Sequence, residues 1–337
     1  MSPLRPAARL RPVGGSPGAR ILGLGAYEPS RVVDNAEMCT MIDSSDEWIR
    51  QRTGIAERRW ATPEETLTMM SVRAARQALD HAGLTPADID AVLVATVTHF
   101  QQWPSLACLI TAELGRPELP AWDISAACAG FCYALGQADA LVRAGASRHV
   151  LVVTADRLSD MTDVTDRTTA FLFADGAGAA VVGPSDTPGI GPTVWGGDSA
   201  QADAITQTLT WPEGVAQGVL PKAAMEGKKV FRWAMTDVAD MTRHVIEASG
   251  LTPDQIDLFV PHQANDRITD AMLRHLKLPD SVIVARNIQR TGNTSASSIP
   301  LAIARLYADD LVSPGATCLM VGFGAGLVYA GQVALLP

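Results

Sequence analysis

A chain of two similar α/β halves is predicted by three observations: an internal repeat, an alternation of helices with apolar strands, and a length of 337 residues that suits one large α/β body or two fused halves. Gly83-Leu-Thr-Pro86 followed by Ile89-Asp90 recurs as Gly250-Leu-Thr-Pro253 followed by Ile256-Asp257, 167 residues further on. Each copy follows an apolar, helix-forming stretch (68–82 and 233–249) and precedes a strand-like run (91–97 and 258–260). Gly closes the helix, Pro opens a turn and the apolar run enters a sheet. A second echo pairs Phe173-Ala-Asp-Gly176-Ala-Gly178 with Gly322-Phe-Gly324-Ala-Gly326. Two echoes in the same order mark a tandem of similar units.

The elements between these landmarks fit layered sheets with helices between and outside them. Val150–Thr154 and Val181–Val182 read as buried strands, and 294–307 reads as a helix with small residues at its start. We divide the chain into a flexible tail over 1–19, an N-terminal half over 20–190, an irregular excursion over 191–229 and a C-terminal half over 230–337. The first twenty residues hold Arg5, Arg9, Arg11 and Arg20 with no acid and no apolar core, unlike a signal peptide. The excursion is rich in Gly, Pro, Gln and Thr without a steady period, and is expected near the site.

Composition narrows the function classes. Hydrophobic residues make up 47% of the chain and charged residues 19%, which indicates a deep core rather than disorder. No apolar run reaches the roughly 18–20 residues that span a bilayer. The five cysteines, Cys39, Cys108, Cys128, Cys132 and Cys318, form no metal-ligand pair at CxxC spacing. They suit reduced thiols in a cytoplasmic protein. A net charge of −9 argues against nucleic acid as a general partner.

Three segments carry chemistry. Cys128 lies in Asp123-Ile-Ser-Ala-Ala-Cys128-Ala-Gly-Phe131, His262 in Pro261-His-Gln-Ala-Asn265 and Asn293 in Thr291-Gly-Asn-Thr-Ser295. Each follows a short apolar or strand-like run and opens onto helix-forming sequence. A helix start at Cys128 would lower its thiol pKa and offer backbone N–H groups to an oxyanion. A thiol, an imidazole and a carboxamide so placed suit acyl transfer through a thioester and stabilisation of an enolate. Singly, each has a plainer reading. Cys128 fits a buried structural cysteine, as we assign the other four; His262 fits a satisfied core histidine, and Asn293 a turn or helix cap.

Together with Asp43-Ser-Ser-Asp-Glu-Trp48-Ile-Arg-Gln-Arg52-Thr-Gly-Ile55 and Asp175-Gly-Ala-Gly-Ala179, these segments resemble the β-ketoacyl-acyl-carrier-protein synthase III family of the thiolase superfamily, from about residue 20 to the C-terminus. The resemblance implies a thiolase-like five-layered αβαβα fold of two similar halves. It also implies that Cys128 takes a starter acyl group from acyl-CoA, that malonyl-acyl carrier protein is decarboxylated, and that His262 and Asn293 hydrogen-bond the enolate oxygen. The backbone N–H groups of Cys128 and Ala325 would form the oxyanion hole. Trp48 and Arg167 would sandwich the adenine of coenzyme A, with Arg52 near the phosphates and Phe231 and Asn265 along the same site. Arg232, Arg267 and Arg274 would receive the acidic carrier protein.

Trp103, Leu158 and Phe173 would shape the acyl pocket, Trp103 reaching across a homodimer interface into the partner's pocket. A large Trp there suggests a shortened pocket that favours acetyl. No metal or separate cofactor is implied, and neither is a nucleic acid or a membrane.

Rival condensing enzymes fit less well. A degradative thiolase needs a second cysteine in the C-terminal glycine loop, where this chain reads Gly322-Phe-Gly-Ala-Gly326. Long-chain elongating synthases use two histidines where this chain has His262 and Asn293. A carrier-protein-binding, chain-length-factor-like subunit without catalysis would not need all three reactive residues. A priming synthase or acyl transferase of a polyketide pathway remains the alternative.

Overall fold

The two Gly-Leu-Thr-Pro segments form the same structure twice. Helix Leu67–Ala82 ends at Gly83 and helix Ala239–Ala248 runs on to Gly250, with φ of 64° and 71° at the two glycines. One-turn helices at Pro86–Asp88 and Pro253–Gln255 follow, each fastened by a reciprocal capping box, Thr85 with Asp88 and Thr252 with Gln255. Asp90 and Asp257 then tie the next strand to its neighbour. Asp90 accepts from the Arg148 and His149 N–H groups at 2.7 and 2.9 Å, and Asp257 from the Thr317 N–H at 2.8 Å.

The computed structural model describes residues 14–337. Most of the tail expected over 1–19 therefore lies outside the described residues, and Gly18 already begins a strand. The first sheet has the order Gly18–Tyr27, Asp175–Ser185, Val150–Arg157, Ala91–Ala95, Ala121–Ile124. The second has Val194–Gly197, Val328–Leu335, Thr317–Gly324, Leu258–Pro261, Ile283–Val284. Strand for strand, the two share order and direction: two antiparallel pairings at the first edge, then two parallel pairings. The duplication predicted from the sequence is thus a duplication of topology.

Burial follows the same plan. Helices Gly130–Arg143 and Ser298–Ala308 lie between the sheets, where Phe131, Leu135, Ile299 and Ile303 pack with Val152, Val260 and Met320. Helices Leu67–Ala82 and Leu106–Glu113 cover the outside of the first sheet, and Ala239–Ala248 and Asp266–Leu276 cover the second. The result is five layers, αβαβα. Both central helices start next to reactive residues, so the middle layer positions the site.

Three stretches differ from the sequence reading. The helix expected over 294–307 begins only at Ser298, after a turn at Ser295–Ser297 with φ of 54° at Ser295. Its polar start competes with helical hydrogen bonding. The helix expected over 233–249 is divided by a wider π turn at Ala234–Val238. The excursion over 191–229 is more ordered than its composition suggests. It holds an edge strand of the second sheet (Val194–Gly197), a short hairpin of Ile205–Gln207 with Ala223–Met225, and a capped helix Trp211–Gln217. No described helix is long and apolar enough to cross a membrane.

If Asp90 and Asp257 are equivalent ties, Asp90→Ala and Asp257→Ala should each cost about 1–2 kcal/mol in denaturant unfolding. Lying in different halves, they should add in the double variant. A loss confined to one of the two would break the equivalence.

Candidate active site

Cys128 sits in a tight turn, Ala127–Ala129, between strand Ala121–Ile124 and the central helix Gly130–Arg143. The turn is sharp enough to hold Ala127 at φ 44°, a left-handed conformation that L side chains rarely adopt. The end of strand Thr317–Gly324 presses against it. A Cβ at Gly324 would come 2.9 Å from the Cys128 nitrogen and 3.2 Å from its sulfur, so only glycine lets the strand approach this closely. Ala325 follows directly and lines the same cavity as Ala127 and Cys128.

The helix start does not lower the thiol pKa as expected from the sequence. Desolvation pushes Cys128 up to about 12, even though the residue is only half-buried and lines the cavity. The lowered thiol pKa is therefore corrected: desolvation outweighs the helix dipole, and Cys128 rests as a thiol.

His262 follows strand Leu258–Pro261, and its N–H donates to the Val321 carbonyl at 2.7 Å. The ring is buried, lies edge-on to Phe323 at 5.3 Å, and is pushed down to about 3 by burial, which keeps it neutral. Nδ1 lies 2.7 Å from Ser298 Oγ, which also accepts from the Gln263 N–H at 3.2 Å. The arrangement that satisfies this network has the Ser298 hydroxyl donating to Nδ1. We therefore assign the ring proton to Nε2.

Asn293 is fixed on two sides. Its backbone pairs with the 172–174 segment, donating to the Leu172 carbonyl and accepting from the Ala174 N–H, both at 2.9 Å. Its side-chain oxygen accepts from the Ser295 N–H at 3.0 Å, which leaves the amide nitrogen to donate. The segment Asn293–Ser298 thus connects all three residues. It supplies Asn293, places Ser295 beside the Cys128 thiol and holds His262 through Ser298.

The 171–174 segment is stapled from its other side as well. Arg58, fully buried, donates to the carbonyls of Val33 and Phe171 at 3.0 and 3.3 Å and to Asn35 at 2.7 Å, while Trp60 Nε1 donates to the Phe173 carbonyl at 3.1 Å. A cavity of about 530 Å³ opens at Cys128, with Leu158, Met161, Phe173 and Ile205 in its wall. That volume is in the range of small-molecule sites. Leu158 and Phe173, expected at an acyl pocket, both line this cavity. Trp103 does not line the cavity of its own chain; it projects from the surface, 77% exposed.

The residues expected to hold coenzyme A form two groups. Arg52 stacks on Trp48 one helical turn away, at 5.2 Å, and Trp48 packs edge-on against Phe171 at 5.3 Å. Arg167 is exposed and lies 3.9 Å from Asp43, just ahead of the Trp48 helix. In the second group Arg267 stacks on Phe231 at 5.6 Å. Asn265 already has a structural task, capping helix Asp266–Leu276 through the Arg267 N–H at 2.9 Å. Arg232, Arg267 and Arg274 are exposed, and none takes part in an ion pair among the described residues. Ser298, Arg58 and Phe171 were not singled out from the sequence. A lone Ser, Arg or Phe in such a chain carries no signal until its neighbours are known.

Comparison with known proteins agrees with this geometry. The model of the 3-oxoacyl-[acyl-carrier-protein] synthase III family matches residues 122–199, and the model of its C-terminal part matches residues 246–335. A β-ketoacyl-[acyl-carrier-protein] synthase III of Streptomyces glaucescens is 51% identical over 332 residues, covering 98% of this chain and 100% of that protein. A mycobacterial β-ketoacyl-[acyl-carrier-protein] synthase III of Mycobacterium bovis is 49% identical over 325 residues, covering 95% and 97%. Among solved structures, the priming β-ketosynthase of the R1128 polyketide biosynthetic pathway superposes with a TM-score of 0.95 at 49% identity, covering 98% and 99%. The 3-oxoacyl-[acyl-carrier-protein] synthase III of Aquifex aeolicus gives 0.88 at 38% identity, covering 94% and 100%. Sequence, topology and site lead to one conclusion: the chain belongs to the β-ketoacyl-[acyl-carrier-protein] synthase III family of condensing enzymes.

Proposed function

We propose that the protein loads a starter acyl group from acyl-CoA onto Cys128 and condenses it with malonyl-acyl carrier protein, releasing carbon dioxide and 3-oxoacyl-carrier protein, to initiate fatty acid synthesis in the cytoplasm. The observation that carries this reading is the single segment Asn293–Ser298, which sets two neutral donors, His262 Nε2–H and the Asn293 amide, in the site of the Cys128 thiol.

Loading comes first. Cys128 sulfur attacks the thioester carbonyl, and the backbone N–H groups of Cys128 and Ala325 receive the charge that develops on oxygen. The acyl chain then occupies the cavity walled by Leu158 and Phe173. In the second half-reaction the malonyl thioester binds with its carbonyl oxygen at His262 and Asn293. Loss of carbon dioxide leaves an enolate, and two neutral donors in a dry site stabilise it without an offsetting charge of their own. The enolate carbon attacks acyl-Cys128, and the thiolate leaves. No cofactor beyond the two thioesters is needed.

Trp48, Arg52, Arg167 and Phe231 offer flat faces and planar cations suited to a purine and its phosphates. The exposed Arg232, Arg267 and Arg274 suit an acidic carrier protein. The similarity to a solved priming β-ketosynthase supports the same chemistry at the start of a polyketide pathway, and the carrier protein that is accepted decides between the two.

We also propose a homodimer in which Trp103 enters the partner's acyl cavity. Its exposure in the single chain supports this, since a projecting Trp is costly in water. A Trp in the cavity favours acetyl over branched starters, by about 1–3 kcal/mol.

Cys128→Ala should form no acyl-enzyme with acyl-CoA by mass spectrometry. His262→Ala and Asn293→Ala should acylate normally but condense about 100-fold more slowly, near 3 kcal/mol of barrier each. Either variant condensing at the wild-type rate would remove it from the enolate site.

Because His262 sits at about 3 rather than its usual 6.5, it stays neutral through the whole neutral range. Decarboxylation of the malonyl thioester by Cys128→Ala, which cannot acylate, should hold flat from about pH 8 down to about pH 6.5, where an ordinary histidine is half protonated. A halving over that range would contradict the assignment.

Trp103→Thr should raise kcat/KM for isobutyryl-CoA relative to acetyl-CoA. An unchanged ratio, or a monomer by light scattering, would contradict the Trp103 proposal.

A further inference from the structure

Burial leaves one step of the loading reaction without an agent. Cys128 rests as a thiol, and His262, the obvious base, faces Ser298 with one nitrogen and carries its proton on the other. A second buried titratable group adjoins the nucleophile. Asp156, near the end of strand Val150–Arg157, is fully buried. Its Oδ1 accepts from the Val97 N–H at 2.8 Å, Thr98 Oγ1 at 3.0 Å and Thr96 Oγ1 at 3.2 Å, whereas Oδ2 has no hydrogen-bond partner. Leaving a carboxylate oxygen unpaired in a dry interior is costly, and such an oxygen calls for an explanation.

Ser295 supplies the complement. Its hydroxyl is also buried without a partner at hydrogen-bond distance, and it lies against both the Cys128 thiol and the Asp156 carboxyl. It lines the cavity at Cys128 and is held there in a left-handed conformation, φ 54°. Such strain is maintained where position matters. An unpaired acceptor, an unpaired hydroxyl and a thiol are therefore neighbours.

We propose that Asp156, acting through Ser295, accepts the Cys128 proton during acyl loading, an inference that rests on Cys128 being the nucleophile. The thiol proton passes to Ser295 Oγ while the Ser295 proton passes to Asp156 Oδ2. The freed sulfur forms its bond to the thioester carbon. The carbon–sulfur bond of the donor then breaks, and the same proton returns through Ser295 to the departing thiolate. Nothing is oxidised or reduced, and no other reactant is needed. The two contacts are open in the resting protein and close when substrate fills the cavity, as catalytic hydrogen bonds in unliganded enzymes often do.

The carboxyl is suited to the task. Burial raises it to about 6, so it is ionised at neutral pH yet basic enough to hold a proton briefly. The groups facing it include the hydroxyls of Thr96, Thr98 and Ser295, the Val97 N–H, Gly176 on the adjacent strand and the titratable thiol of Cys128. Asp156 thus acts through Ser295, with three donors holding Oδ1 and Oδ2 left free.

The test is rapid-quench mass spectrometry of Cys128 acylation by acetyl-CoA as a function of pH. The wild-type rate should fall on the acid side with a midpoint near pH 6, because protonated Asp156 cannot accept. Asp156→Asn and Ser295→Ala should each acylate about 100-fold more slowly at neutral pH, lose that acid limb, and rise only toward alkaline pH as the thiol itself ionises. A purely structural role would lower the rate at every pH and leave the limb in place. Either variant that keeps the limb, or acylates at the wild-type rate, overturns the proposal. If Asp156→Asn does not fold, Ser295→Ala decides alone. Wild-type protein that is never acylated would instead overturn the reading of Cys128, a result distinguishable from normal acylation without a limb.

Discussion

Six consecutive residues, Asn293 to Ser298, organise the chemistry of this protein. Asn293 donates through its amide because Ser295 N–H pins the oxygen. Ser295 stands against the Cys128 thiol, and Ser298 fixes the tautomer of His262. A segment this short can serve three residues from distant parts of the chain because it begins one of the two helices that lie between the sheets. The middle layer is where two halves of a duplicated fold face each other, and both of its helices start at reactive residues. Duplication thus does more than double the core. It brings Cys128 from the first half together with the Asn293–Ser298 segment of the second, which holds His262.

Burial is the shared cost and the shared tool of that arrangement. It keeps His262 neutral, as a donor to an enolate must be if it is not to give up its proton outright. The same burial raises the Cys128 thiol, which makes loading harder and creates the need for a proton acceptor. The two half-reactions thus ask opposite things of one dry environment. On the mechanism proposed above, a buried carboxyl beside the Cys128 thiol, Asp156, serves the loading half-reaction.

Much of this was legible in the sequence, for identifiable reasons. The Gly-Leu-Thr-Pro repeat announced the duplicated topology because helix ends and turns are encoded locally, and Asp90 and Asp257 even make equivalent ties. Cys128 and Asn293 stand out because each lies among small residues that a tight turn favours, and His262 because a strand and Pro261 lead into it. The direction of the Cys128 shift was not visible, since desolvation depends on what packs over a residue and the helix start suggested the reverse. Ser298 and Ser295 read as small residues at a helix start, and Asp156 lies just past the strand read over 150–154. An acid in that position, within Val150-Leu-Val-Val-Thr-Ala-Asp156, was the signal that could have been read. The excursion over 191–229 was judged irregular because its strands are too short to show a period, although one completes the second sheet.

The account stands on His262 and Asn293 facing the oxygen of the extending thioester while Cys128 faces the acyl group. A crystal structure of the Cys128→Ala variant with a non-hydrolysable malonyl thioester tests that directly. The thioester oxygen should lie within about 2.7–3.2 Å of both His262 Nε2 and the Asn293 amide nitrogen. An oxygen held instead by the backbone N–H groups of residues 128 and 325, with His262 and Asn293 unoccupied, would contradict the division of labour on which the mechanism depends.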